Sequence, residues 1–236
     1  MTEVPAHFQK DAKPSPHQLR RRNSVLSALK GLRGDVLDYG CGWGDLTYQI
    51  AKTNPAKGVD VDPERVAFAQ QQYAPIEFSQ CRTDGLDFGD QTFDIVVSTV
   101  VVHFVPDPAA YLQEAHRVLK PGGYLVICCR NKPVVRNFLR RLIGKPEAPP
   151  TLCFPGQHLY FPDQKEFIQL LEKTGFKLLK RSGFYDPPLQ DWRDIHVRTL
   201  VSGSIELLLS IFKVQATIHY YTILCHKPLQ EATSKI

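Results

Sequence analysis

The sequence has no CxxC pair. Its six cysteines (Cys41, Cys81, Cys128, Cys129, Cys153 and Cys225) are scattered, Cys128 and Cys129 lie side by side in an apolar run, and no histidines join them in the pattern of a zinc site. This spacing predicts no metal centre, and free thiols suit a reduced, cytoplasmic setting. The first residues, MTEVPAHFQKDAKPSPHQLRRR, lack the apolar core of a secretory signal, which agrees with that expectation. The richest apolar stretch, Ile205 to Val214, is interrupted by Glu206 and Lys213, so no segment reads as a membrane span. Internal repeats are absent, and no recognisable nucleic-acid-binding module accompanies the basic residues.

What is present is an ordinary globular composition, 43% hydrophobic and 22% charged over 236 residues. At about 150 residues per domain this suits one domain with additions rather than two domains. The net charge of +5 is unevenly spread. Residues 1–35 carry seven basic and three acidic side chains, residues 36–129 six and twelve, and residues 130–236 sixteen and nine. An acidic centre between basic flanks suits a centre that holds a cation and flanks that meet an anion or anionic surface; solvated faces are the alternative.

From residue 36 short β-branched runs alternate with helical stretches: VLDYG (36–40), LTYQIAK, GVDVD (58–62), ERVAFAQQQY, IEFSQC (76–81), FDIVVSTV (93–100), AAYLQEAHRVL (109–119) and YLVICC (124–129). Strands without polar alternation, separated by helices, predict an α/β, doubly wound parallel sheet covered on both faces. Asp62-Pro63 is a helix start and Lys120-Pro121-Gly122-Gly123 a helix stop. Further on, 167–173 reads as a helix, and 176–181 and 216–225 as strands. Helices are expected in the insertion of about 30 residues at 186–215. Two further helices look like additions, at 17–31 and at 133–143, the latter basic and amphipathic with Arg136, Arg140 and Arg141 off its apolar side.

The strongest chemical signal is Val36-Leu37-Asp38-Tyr39-Gly40-Cys41-Gly42-Trp43-Gly44, an apolar strand ending in an acid and turning through alternating glycines. Such glycines let the backbone approach a ligand at the carboxyl ends of the strands. The dinucleotide fingerprint fails at Asp45, where Gly or Ala is needed. Acids at 38 and 45 suit an ammonium and a sulfonium better than a pyrophosphate. DYGCGWG in this setting resembles the first motif of the class I S-adenosylmethionine-dependent methyltransferases, in the small-molecule branch called methyltransferase type 11. Val102-His103-Phe104-Val105-Pro106-Asp107-Pro108 and Leu119-Lys120-Pro121-Gly122-Gly123 match that branch in order.

The resemblance implies a Rossmann-like, mostly parallel seven-stranded sheet with an antiparallel last strand and added acceptor-site helices. It implies a single domain over 1–236: a helical cap at 1–35, a cofactor-binding core at 36–129, and acceptor-side insertions and last strands at 130–236. S-adenosylmethionine is the implied cofactor, and S-adenosylhomocysteine its product. The implied binding residues are Asp38, Gly40, Cys41, Gly42 and Gly44, then Asp60 and Val61, then Thr83, Asp84, Gly85 and Ser98. Asp60 follows Gly40 by 20 residues, the offset of a ribose-binding acid. Asp84 would accept from the adenine amine, though it also reads as a capping aspartate. The base-amine motif (Asn/Asp-Pro-Pro-Tyr/Phe) is replaced by Ser98-Thr99-Val100-Val101, and Asp186-Pro187-Pro188-Leu189 is a decoy beyond the sixth strand.

Methyl transfer from a sulfonium is an in-line displacement that needs orientation and, for hydroxyl or acidic carbon acceptors, a base. Candidates are His103, which alternatively packs or lies at the surface, and His158 and Tyr160 in the loop Pro155–Phe161. Phe154, Tyr160, Phe161, Phe184, Tyr185 and Trp192, with Arg130, Arg193 and Arg198, suit an apolar or aromatic acceptor carrying an acid or phosphate, or else form core. The 133–143 helix offers a peripheral contact with an anionic membrane, or a lid. The partner expected is thus a small molecule rather than nucleic acid, with the chain a monomer or homodimer. Methylation of RNA or protein, and non-catalytic cofactor binding or protein interaction, are the competing readings.

Overall fold

Seven segments form one sheet: the central strands β1, β4 and β5 bury both faces, whereas the edge strands β3 and β6 leave most of their side chains exposed. The structure, a computed structural model, describes residues 16–131, 141, 142, 144, 164–184 and 220–229. The strands are β1 (Val36–Tyr39), β2 (Ala56–Asp60), β3 (Glu77–Gln80), β4 (Phe93–Thr99), β5 (Leu119–Arg130), β6 (Lys177–Phe184) and β7 (Tyr220–His226). The helices are α1 (Pro16–Ala28), α2 (Asp45–Ala51), α3 (Pro63–Gln72), α4 (Pro108–Val118) and α5 (Gln164–Lys173).

The sheet order is β3-β2-β1-β4-β5-β7-β6. β3, β2, β1, β4 and β5 pair in parallel, and β7 runs antiparallel to both β5 and β6. The chain reverses direction across the sheet between β1 and β4, so their carboxyl ends open a crevice, the usual ligand position in open α/β sheets. The expected Rossmann-like sheet with an antiparallel last strand is therefore found.

Strand side chains alternate between faces. Leu37, Val96 and Ile223 pack with Leu112, Ala115, Phe167 and Leu171 of α4 and α5. Val36, Ile95, Val97 and Val126 pack with Val25 and Leu29 from the α1 region and with Leu46 and Ile50 of α2. Val66 and Ala69 of α3 cover Phe78 and Cys41.

Helix starts follow local chemistry. Asp62 accepts from Glu64 N and Arg65 N ahead of α3, and Asp107 accepts from Ala109 N and Ala110 N ahead of α4, each followed by proline. α4 ends at Val118, ahead of Lys120–Gly123, but that stretch lies within β5, which starts at Leu119 rather than at the expected 124, and it interrupts the β4–β5 pairing, whose register jumps from Phe93↔Leu119 to Ile95↔Tyr124. Lys227, buried at the end of β7, donates from Nζ to His116 O and Leu119 O at 2.8 Å and so satisfies carbonyls at the end of α4.

Some boundaries differ from the sequence reading. α1 ends at Ala28, and Gly31 has a φ of 90° in the left-handed region just after it. β6 starts one residue later than expected, and of the expected 216–225 strand the structure describes Tyr220 onward, within β7, while 216–219 lie outside the described residues. Of the expected 133–143 helix only Arg141 and Leu142 are described, and the 186–215 insertion lies outside the described residues.

Candidate functional site

β1 delivers Asp38 to the crevice with 1% of its surface exposed. Thr47 of α2 donates from Oγ1 to Asp38 Oδ2 at 2.6 Å. Burial pushes the Asp38 carboxyl from 3.8 up to about 7; the Thr47 bond opposes this, and the charges of Asp45 and Asp60 add to it. Three acids converging with little water predispose the site to a cation.

The turn after β1 is held open by glycines. Gly40 has a φ of 86°, and a β-carbon there would lie 2.2 Å from Val101 Cγ2. Gly42, at φ 55°, faces open space, with nothing within 4 Å of its notional β-carbon. Asp60 ties this turn to β2: its Oδ2 accepts from Gly42 N at 2.8 Å and its Oδ1 from Asp62 N at 3.0 Å. Each carboxylate oxygen keeps acceptor capacity for a hydroxyl. Val61 beside it is 48% exposed. Trp43 sits edge-on to Phe68 and under the Arg65 guanidinium, 5.9 Å from its ring centroid.

The other sequence candidates occupy varied surroundings. Asp84 is exposed and takes a two-pronged bond from Arg82, Nε at 2.8 Å and Nη2 at 2.7 Å, which holds its carboxyl low. Gly85 bridges back to Arg82, and Thr83 lies exposed in the same turn. Ser98 is buried, with its Oγ 2.9 Å from the Tyr111 hydroxyl, which itself donates to Tyr39 O at 3.0 Å. That proton is therefore spoken for, and Ser98 donates to Tyr111. Cys41 is buried, and its thiol is pushed up by burial and then by Asp38 and Asp60, which keeps it neutral.

His103 is fully buried, and its Nε2 accepts from Arg130 N at 2.8 Å. An accepting Nε2 carries no proton, and the lone pair a base would use is engaged. His158 and Tyr160 lie outside the described residues. Among the described residues no group of three His, Cys, Asp or Glu side chains could hold a metal, and no helix is long and apolar enough to cross a membrane.

Sequence reasoning missed Thr47, whose hydroxyl is what Asp38 meets, and Tyr111, whose ring stacks on Tyr39 at 4.1 Å. It also missed Val100, which takes a φ of 64° just past β4. A β-branched residue in that region is strained, and such strain collects at functional sites. S-adenosylmethionine fits these groups: an ammonium and a sulfonium for the buried acids, a ribose diol for Asp60, and space over Gly42.

Residues 37–127 match the family described as Methyltransferase domain. The chain is 34% identical over 175 residues to the demethylmenaquinone methyltransferase of Chlorobaculum parvum, covering 65% of this chain and 72% of that one. It is 30% identical over 187 residues to a ubiquinone biosynthesis O-methyltransferase of Cereibacter sphaeroides, covering 74% of each. The fold matches an S-adenosylmethionine-dependent methyltransferase from Mesorhizobium loti with a TM-score of 0.62 at 16% identity, over 86% of this chain and 96% of that one. Sequence, fold and buried acids agree, and the chain belongs to the class I S-adenosylmethionine-dependent methyltransferases.

Proposed function

We propose that this methyltransferase acts on a small apolar or aromatic acceptor of the phenol or quinol type. The matching relatives named for menaquinone and ubiquinone biosynthesis support that class. The acceptor class rests on those relatives, and the observation that carries the cofactor roles is the buried Asp38–Thr47 pair beside Asp60 at the carboxyl edge. Asp38 would hold the ammonium, Asp60 the ribose, and Val61, Thr83, Asp84 and Gly85 the adenosine edge, with Asp84 exchanging Arg82 for the adenine amine. Gly40, Cys41, Gly42 and Gly44 shape the turn, and Ser98 acts through Tyr111. When bound, S-adenosylmethionine supplies a methyl group on an already activated leaving group. The protein then orients the acceptor in line and excludes water. A hydroxyl acceptor also needs a base; with the Nε2 of His103 occupied by Arg130 N, we assign that role to His158 or Tyr160.

Thermal unfolding with S-adenosylmethionine, S-adenosylhomocysteine and NADH tests the cofactor roles, with Asp60→Ala as control. A ligand at 100 times its Kd stabilises by about 2.7 kcal/mol, roughly 5–10 °C for a chain of this size. A rise with the first two ligands, lost in the variant, is expected; an unchanged rise in Asp60→Ala refutes its role. Methylation of a catechol panel followed by mass spectrometry then tests the acceptor class, and products formed only on RNA or protein overturn it.

A further inference from the structure

The carboxyl edge does not end at the cofactor acids. On the face shared with α1 and α2, the same edge continues through Thr99 of β4 and Arg130 of β5 to Tyr220 of β7, the last two being register partners. Arg21 of α1 and Arg130 both place their guanidinium against the Tyr220 ring, at 5.7 and 5.8 Å from its centroid. Tyr220 is 2% exposed, so the ring is a fixed platform. α1 is itself fastened beside it, with Ser24 Oγ 2.7 Å from Thr222 Oγ1. Arg130 is fastened too, because its N–H is held by the buried His103.

Two guanidinium groups held against one ring present planar, charge-assisted donors to an anion at this edge. The edge also holds polar atoms waiting for a partner: Arg21 Nε, Arg22 Nε and Thr99 Oγ1 are buried without a hydrogen bond. The two α1 arginines divide by position. Arg22 is the stronger influence on Asp45, next to the glycine turn, whereas Arg21 lies on Tyr220.

We propose that Arg21 and Arg130, mounted on Tyr220, bind an oxyanion on the acceptor, so that the acceptor carries a carboxylate or phosphate distal to its methylated atom. This rests on the methyltransferase reading above and adds its substrate class. The cofactor's own carboxylate is the wrong candidate. It shares a carbon with the ammonium that Asp38 holds on β1, and β7 is three strand spacings, about 14 Å, from β1. Planar guanidinium groups are the side chains best suited to an oxyanion.

The test is calorimetric titration of the full chain, saturated with S-adenosylhomocysteine, with 3,4-dihydroxybenzoate and with its neutral amide, 3,4-dihydroxybenzamide. The wild-type protein should bind the carboxylate about tenfold more tightly than the amide, as expected for a charge-assisted pair. Arg21→Gln and Arg130→Gln should each erase most of that preference, while Arg130→Lys should keep part of it. S-adenosylhomocysteine affinity should stay within about twofold in all three variants. Equal binding of the two probes, or binding of neither while S-adenosylhomocysteine binds, overturns the proposal. So does a loss of S-adenosylhomocysteine affinity in the variants with the probe preference intact. Failure of the wild-type chain to bind S-adenosylhomocysteine overturns the cofactor reading instead.

Discussion

Replacing Asp38 by asparagine should make the ligand-free protein more stable while removing its affinity for cofactor. The carboxyl is raised from 3.8 to about 7, mainly by burial. At about 1.4 kcal/mol per pKa unit, holding it ionised costs the fold roughly 4 kcal/mol. A folded-state value above the unfolded one means that the folded protein binds the extra proton between those pH values, so stability falls as pH rises from about 4 to about 7. Asparagine keeps an oxygen for Thr47 Oγ1 and carries no charge, so it removes that slope. Urea unfolding of both proteins without cofactor should give near-equal stability at pH 4 and a clear advantage to Asp38→Asn at pH 8. Cofactor titration should show a large loss in the variant, and wild-type affinity should weaken as pH drops below 7, where the acid takes up a proton. Parallel pH profiles for the two proteins, or full affinity in the variant, would refute the reasoning.

Three further substitutions separate the turn, the cap and the core. Gly40→Ala combines a left-handed φ of 86° with a β-carbon 2.2 Å from Val101 Cγ2; a loss of about 3 kcal/mol is expected, with partial recovery in Gly40→Ala/Val101→Ala, read by urea unfolding. Asp107→Ala removes the bonds to Ala109 N and Ala110 N and should cost about 1 kcal/mol without changing S-adenosylhomocysteine affinity by calorimetry. Tyr111→Phe leaves Tyr39 O and Ser98 Oγ without their shared partner, an expected loss of about 1–3 kcal/mol by thermal unfolding.

The sheet was legible because its central strands, β1, β4 and the end of β5, are largely apolar runs whose period cannot suit a surface helix, and because Asp62-Pro63 announces a helix within two residues. The glycine turn and Asp60 were legible for a similar reason: backbone conformation and offset leave a local trace. Contacts across long stretches of chain leave none. Tyr111 reaches Tyr39 O across 72 residues and Lys227 reaches His116 O across 111, and nothing near either side chain encodes its partner. His103 shows the same limit, since its motif marks a place at the edge but not that its Nε2 meets Arg130 N. The register of β6 against β7 depends on the two strands pairing with each other, which local sequence does not record.

The stretch just past β4 has a consequence for divergence among such enzymes. Val101 packs against Gly40 on the cofactor side, and His103, two residues on, grips the Arg130 amide on the other. A change in this short span shifts the glycine turn and the Arg130 backbone together, so if Arg130 holds the acceptor as proposed, it is a poor place for evolution or engineering to explore new acceptors. Arg21, by contrast, lies on α1, half-buried against the Tyr220 ring and outside the Val101–His103 span. On the oxyanion role proposed for it, new acceptor preferences would accumulate there while the methyl donor stays fixed.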